Sequence, residues 1–222
     1  MTKVTLYGLD ASPPVRAVLM TLKALDLNYD YVLVNILAGE HLAPHYIEKN
    51  PQHTVPTLED NGHFLWDSHA IMPYLVDKYA KNGALYPKDA YQRAIVNQRL
   101  HFDSGMMFIG ALRNIVRPLL FMNETEIPQS RINALDEVYG FVETFLAEND
   151  YVAGMELTIA DFSFVSTLTS LETFLEIDAS KYGKLTAWLE RMKQLPYYDE
   201  ANGSGVAQFS GLMRSKNFTI VP

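Results

Sequence analysis

Three short stretches hold the polar groups from which chemistry could be built. The first is Gly8-Leu9-Asp10-Ala11-Ser12-Pro13-Pro14, a loop that ends at the start of an apolar helical pattern. Ser12 is an N-cap candidate, and the two prolines suit a first helical turn. A helix start offers N–H groups without intrahelical partners and a partial positive charge. A hydroxyl there could donate to an anion in front of it; the competing reading is that Ser12 only caps its own helix. The second stretch is His53-Thr54-Val55-Pro56. Proline is tolerated at the first residue of a strand but donates no ladder hydrogen bond. If Val55-Pro56 is cis, the Val55 main chain turns outward and could pair with an extended peptide as an added strand does. Cis is the rarer X-Pro state, about 5–6% in folded proteins, so spacing alone favours trans. The third stretch is Asp67-Ser68-His69, directly before another apolar helical pattern. These residues either cap that helix or recognise an α-amino acid head group. In the latter case Ser68 and the helix start hold the carboxylate and Asp67 holds the ammonium.

His41 and His53 lie in or near irregular segments, where either could meet a second carboxylate. The remaining histidines have no metal-ligand spacing, and the chain contains no cysteine, so no metal site is expected. The same lack removes disulfides and any protein thiol nucleophile. Sulfur chemistry in this chain requires a ligand that brings the sulfur.

The elements that must position these groups fall into two patterns. Residues Val4 to Tyr7 and Tyr29 to Val34 read as strands flanking a helix with Val15, Val18, Leu19, Leu22 and Leu25 on its apolar face. Such a strand-helix-strand unit is parallel with a right-handed crossover. A short helix near 44–49 follows. Asn61-Gly62 between 56–59 and 63–66 is a hairpin signal, and Ile71, Tyr74, Leu75 and Tyr79 mark a helix after it. The order is βαβ then ββα over residues 1–82. A linker is expected at 83–87, with Gly83 and Pro87 as punctuation. Residues 88–222 read as all-helical, with helices at about 88–121, 128–148, 159–176, 182–195 and 197–214, and no strand. Thr158-Ile159-Ala160-Asp161 reads as a capping box variant, which assigns Asp161 a structural role.

The bulk numbers narrow the function. The chain has 222 residues, 48% hydrophobic and 20% charged, the balance of an ordinary globular protein. Its net charge of −8 and lack of a basic block argue against nucleic acid. No apolar run reaches the ~20 residues of a membrane helix, and the N-terminus lacks a secretory leader; a cytoplasmic location is expected.

The segments LYGLDASPPVRAV, NPQHTVPTLEDNGHFLWDSHAI and LTIADFS together resemble a cytosolic glutathione transferase, most closely the insect epsilon class, over nearly the whole chain. The resemblance implies a thioredoxin-like first domain that binds glutathione and an all-helical second domain that supplies most of an electrophile pocket. It implies a cis Val55-Pro56 bond. It carries glutathione binding onto His41, His53, Thr54, Val55, Pro56, Asp67, Ser68 and His69. Asp67 and Ser68 take the γ-glutamyl end, with His69 beside them; Val55 pairs with the cysteinyl backbone; His41 and His53 meet the glycine carboxylate. Asp67 stands where the family commonly has glutamate, one methylene longer. The sulfur then points at Ser12. Tyr7 competes for it, because other transferase classes use a first-strand tyrosine; the Ser-Pro-Pro context matches the serine-using classes, and Ser12 is chosen. Asp103 resembles an acidic residue that reaches glutathione across the dimer interface in some classes.

The implied activity is conjugation of glutathione, as co-substrate, to small hydrophobic electrophiles by a homodimer. Dehydrohalogenation and hydroperoxide reduction are side activities open to the same thiolate. The alternative is a non-catalytic carrier with the same fold. Pocket candidates are Ala11, Leu37, Phe108, Leu112, Arg113, Val116, Leu119, Leu120, Phe121, Phe209 and Met213. Most apolar helical stripes are core, so only part of this set is expected to line a wall.

Overall fold

The computed structural model describes residues 4–222. Strand β1 (Val4–Gly8) alternates buried and half-buried positions, as a sheet with one face on a core requires. It pairs in parallel with β2 (Tyr29–Leu33) and antiparallel with β3 (Thr57–Asp60). β3 continues through a hairpin at Asn61-Gly62 into β4 (His63–Trp66), giving the order β2-β1-β3-β4. Helix α1 (Pro13–Ala24) crosses between the parallel strands. Its residues Val15, Val18 and Leu22 and those of α3 (Ser68–Tyr79) form a core with Leu6 and Leu58. The short helix α2 (Pro44–Ile47) brings Tyr46 edge-on to Tyr7, which alternates away from Leu6.

The remaining helices are α4 (Ala90–Phe102), α5 (Asn114–Phe121), α6 (Gln129–Phe145), α7 (Ile159–Leu171), α8 (Gly183–Lys193) and α9 (Ser204–Arg214). The long helix expected at 88–121 is continuous but winds as a π-helix between Asp103 and Arg113. Buried residues four apart, Met107, Ala111, Ile115 and Leu119, run through that winding. A second π turn, Asp199–Gly203, precedes α9.

The expectation of no strand beyond the first domain needs correction. β5 (Glu126–Pro128) and β6 (Thr219–Val221) pair in parallel and fasten the chain end to the α5–α6 connection. Three-residue strands are too short to show an alternating pattern, and their pairing is distant in sequence. The two domains share one apolar core, where α1 packs on α7 and on the second π turn. Among the described residues, no helix is long and apolar enough to cross a membrane.

Candidate functional site

Ser12 occupies the N-cap position of α1 with extended backbone angles, yet its side chain makes no capping hydrogen bond. The physical reason lies in the next two residues. An N-cap side chain accepts from the N–H of N2 or N3; here N1 and N2 are Pro13 and Pro14, which have no N–H, so only the N3 N–H, on Val15, could serve it. The first available N–H groups, on Val15 and Arg16, both donate to the Ser12 carbonyl at 3.1 Å. The Ser12 N–H itself donates to the Leu9 carbonyl at 2.8 Å. Thus the hydroxyl is left free of partners among the described residues, and the row of unpaired main-chain N–H groups expected at this helix start is missing. What remains is one hydroxyl and the end of a helix dipole.

The loop before β3 is held from within. Val55-Pro56 is cis. The Thr54 carbonyl accepts from the Tyr46 hydroxyl at 2.7 Å and from Asn50 Nδ2 at 2.9 Å. Asn50 is fully buried and also bonds Thr57 Oγ1 at 3.0 Å. These bonds fix Thr54 and leave the Val55 N–H and C=O without partners among the described residues. His53, at a φ of 45°, brings its ring 6.1 Å from that of His41. Burial, and then the charge of His53, hold the His41 imidazole below its ordinary range. Its Nδ1 is buried without a partner. The two histidines proposed to share one carboxylate are therefore neighbours.

At the start of α3, Asp67 has a φ of 71° and its carboxylate accepts from the His69 N–H at 2.8 Å. One Asp67 oxygen is thus committed to capping. Ser68 follows as the first residue of α3, buried at 5% exposure. The His69 ring turns away into the domain interface. Its Nε2 lies 2.7 Å from Ser163 Oγ and 3.1 Å from Asp103 Oδ2, while the Ser163 hydroxyl donates to the same Asp103 oxygen at 2.5 Å. This link of α3 to α7 and the first π-helix fixes the backbone that presents Asp67 and Ser68. Asp103 is accordingly engaged within its own chain and buried at 4% exposure.

The apolar candidates separate by burial. Leu112, Leu119, Phe209 and Met213 are buried and belong to the core rather than to a pocket wall. Phe108, Val116 and Leu120 are half-buried along one stripe beside the core stripe, with Leu212 half-buried on α9. Ala11 is half-buried next to Ser12, whereas Leu37, Arg113 and Phe121 are exposed. The stripe could not be divided from sequence because both rows repeat every four residues.

Comparisons with known proteins bear on the whole chain. Residues 6–83 match the family model for the glutathione S-transferase N-terminal domain, and residues 114–196 match that for the C-terminal domain. The chain belongs to the glutathione S-transferase family. It is 45% identical over 215 residues to Glutathione S-transferase 1 of Manduca sexta, covering 96% of this chain and 98% of that protein. Among solved structures it resembles an epsilon-class glutathione S-transferase from the housefly, Musca domestica, with TM-score 0.97, 58% identity and coverage of 98% and 100%. It also resembles a glutathione transferase homologue from Drosophila mojavensis with bound glutathione, with TM-score 0.97, 53% identity and complete coverage of both chains.

Within this transferase fold, Tyr7 is poorly suited to serve a sulfur. Its hydroxyl donates to Glu59 Oε2 at 2.7 Å. Burial, then that bond and the glutamate charge, push the phenol up to about 12. Sequence reasoning did not find Glu59, Asn50, Tyr46 or Ser163. Each acts by orienting another residue, and the sequence carries no local spacing that reveals such a role.

Proposed function

We propose that this transferase activates glutathione as its thiolate through the Ser12 hydroxyl and conjugates it to small hydrophobic electrophiles. The observation that carries the reading is the free Ser12 hydroxyl at a helix start whose prolines deny it a capping role. Other groups in the first domain support the reading. The unpaired Val55 main chain suits a strand-like peptide, Ser68 and Asp67 suit an amino acid head, and His41 with His53 suits a terminal carboxylate.

A free thiol ionises near pH 8.5, so a few per cent is thiolate at pH 7. Lowering that value to about 6.5 needs roughly 2.7 kcal/mol of selective stabilisation. One hydrogen bond to a charged group contributes roughly 1.5–3 kcal/mol, and a helix terminus about 0.3–2 kcal/mol. The thiol proton goes to solvent, and Ser12 keeps its own proton in a hydrogen bond to sulfur. The thiolate lone pair then forms the carbon–sulfur bond while the leaving group departs with its bonding electrons. The half-buried stripe of Phe108, Val116 and Leu120 supports an apolar second substrate. The same thiolate could eliminate halide or reduce a hydroperoxide. A homodimer and a cytosolic location accompany this reading from the family, and light scattering checks the first.

The test uses glutathione and a chromogenic aryl halide. Ser12→Ala is expected to lower kcat/KM at least tenfold, about 1.4 kcal/mol, and Tyr7→Phe less than threefold. An equal or greater loss from the tyrosine change would overturn the assignment.

A further inference from the structure

Arg16 is fully buried and has no carboxylate partner among the described residues. Its guanidinium bonds only neutral acceptors. Nη1 donates to Asn202 Oδ1 at 2.8 Å and to Thr169 Oγ1 at 3.4 Å. Nη2 donates to the Ser166 carbonyl at 2.9 Å and to Ser170 Oγ. Nε is buried with no partner. Buried charges are ordinarily paired with an opposite charge, so this arrangement is unusual for a group that served only to join two domains.

Its location suggests what the charge does. Arg16 lies one turn after Ser12, whose carbonyl accepts its N–H, and helical side chains lean toward the N-terminus. Gly205, at the start of α9, reports how close the packing is. A Cβ there would lie 2.2 Å from the Asp10 carbonyl oxygen and 2.6 Å from Arg16 Cδ. The arginine stem therefore runs directly beneath the loop that carries Ser12, at a helix start where the main-chain donors are missing.

We infer that Arg16 is an electrostatic positioning residue for the glutathione thiolate, its guanidinium kept un-neutralised so that its positive charge is felt at the sulfur in place of the missing amides. The inference rests on the reading of Ser12 as the hydrogen-bond donor to that sulfur. Other charges near the arginine do not cancel it. The second π turn and the residue before it present Asn202 and the Tyr198 phenol, which burial raises and keeps neutral. From α7, Thr169, Ser166 and Ser170 are neutral, and Glu172 bears on Tyr198 together with Lys193. The Asp10 carboxylate acts on Tyr31 and Tyr29. Burial lowers the guanidinium to about 9, which leaves it charged at neutral pH.

The test is Asn202→Asp in the full chain. It retains an acceptor 2.8 Å from Nη1 but makes the pair neutral overall. Titration of bound glutathione by its ultraviolet thiolate band is expected to show the thiol pKa raised by roughly half a unit or more. KM for glutathione should stay within about twofold, because the acceptor for Nη1 is preserved; the Asn202 Nδ2 donor to Thr169 Oγ1 is lost, so the thiol pKa is read on protein shown to be folded. Thr169→Asp offers the same neutralisation from α7 if the first variant does not fold. Arg16→Lys, which keeps the charge and loses the fork, should hold the thiol pKa near that of the parent even where stability drops. A folded Asn202→Asp or Thr169→Asp protein with an unshifted thiol pKa would overturn the inference. Ser12→Ala separates the two readings: if it too leaves the thiol unshifted, the serine assignment fails. A shift with Ser12→Ala but none with Asn202→Asp removes only the role of Arg16.

Discussion

The N-termini of α1 and α7 begin with the same kind of signal, a hydroxyl residue before an apolar helix, and use it in opposite ways. At α7 the Thr158 hydroxyl accepts from the Ala160 N–H at 3.3 Å and donates to Asp161 Oδ2 at 3.1 Å. Asp161 Oδ2 also accepts from the Thr158 N–H at 2.9 Å, closing the capping box. The other Asp161 oxygen takes the Val152 N–H at 2.9 Å and Trp188 Nε1–H at 3.0 Å. These donors are consumed in holding the second domain together, and the Ile159 N–H donates to the Leu85 carbonyl of the linker at 3.0 Å. At α1 the proline at the second helical position removes one capping donor, and the other, the Val15 N–H, goes to the Ser12 carbonyl instead of its hydroxyl. A hydroxyl becomes available to a ligand when the donors of its helix are absent or spent on main-chain acceptors.

Asp161→Ala should have the largest effect on this contrast. It strands buried N–H groups of Val152, Thr158 and Trp188, and a loss of about 3 kcal/mol or more in unfolding free energy is expected from denaturant titration. Ser12→Ala should behave in the opposite sense: activity falls at least tenfold, while the unfolding midpoint moves by under about 0.5 kcal/mol, because no capping bond is lost. A large stability loss at Ser12 would erase the distinction between the two helix starts.

The pH dependence sharpens the contrast further. Burial raises the Asp161 carboxyl to about 6, against an ordinary 3.8, although its four hydrogen bonds oppose the shift. A carboxyl with a raised folded-state value gives stabilisation that is complete below its unfolded value and is lost as pH rises through the folded one. The stability difference between the parent and Asp161→Asn should therefore move in favour of the parent as pH falls from 7 through 6 toward 4, by on the order of 1 kcal/mol. A flat difference would place the charge elsewhere.

The smallest effect is expected from Pro14→Ala. It restores an N–H at the second helical position, so Ser12 regains a capping partner worth about 0.5–1 kcal/mol. Activity should fall two- to fivefold with unchanged or higher thermal stability. Unchanged activity would mean that donor scarcity does not govern the serine.

Much of the first domain was legible because its signals are local. The period-two alternation of β1, the apolar face of α1 and the Asn61-Gly62 turn each specify an element within a few residues. The same holds for Thr158 and Asp161, whose capping spacing is three residues. Even the scarcity of amides at the Ser12 helix start follows locally from Pro13 and Pro14, which carry no N–H. Asp67 kept both of its readings, since one carboxylate oxygen caps α3 and the other is uncommitted in the cap.

By itself, then, the sequence determined the element order of the first domain and the family, because each depends on neighbours along the chain. Only the tertiary structure decided where side chains with no local partner would go. It turned His69 toward Asp103 and Ser163, aimed the Tyr7 hydroxyl at Glu59 as a hydrogen-bond donor, and buried Arg16 among neutral groups of α7 and the second π turn. It also divided the apolar helical positions into buried and half-buried ones. Those outcomes depend on contacts between elements distant along the chain, which join residues as far apart as Arg16 and Asn202.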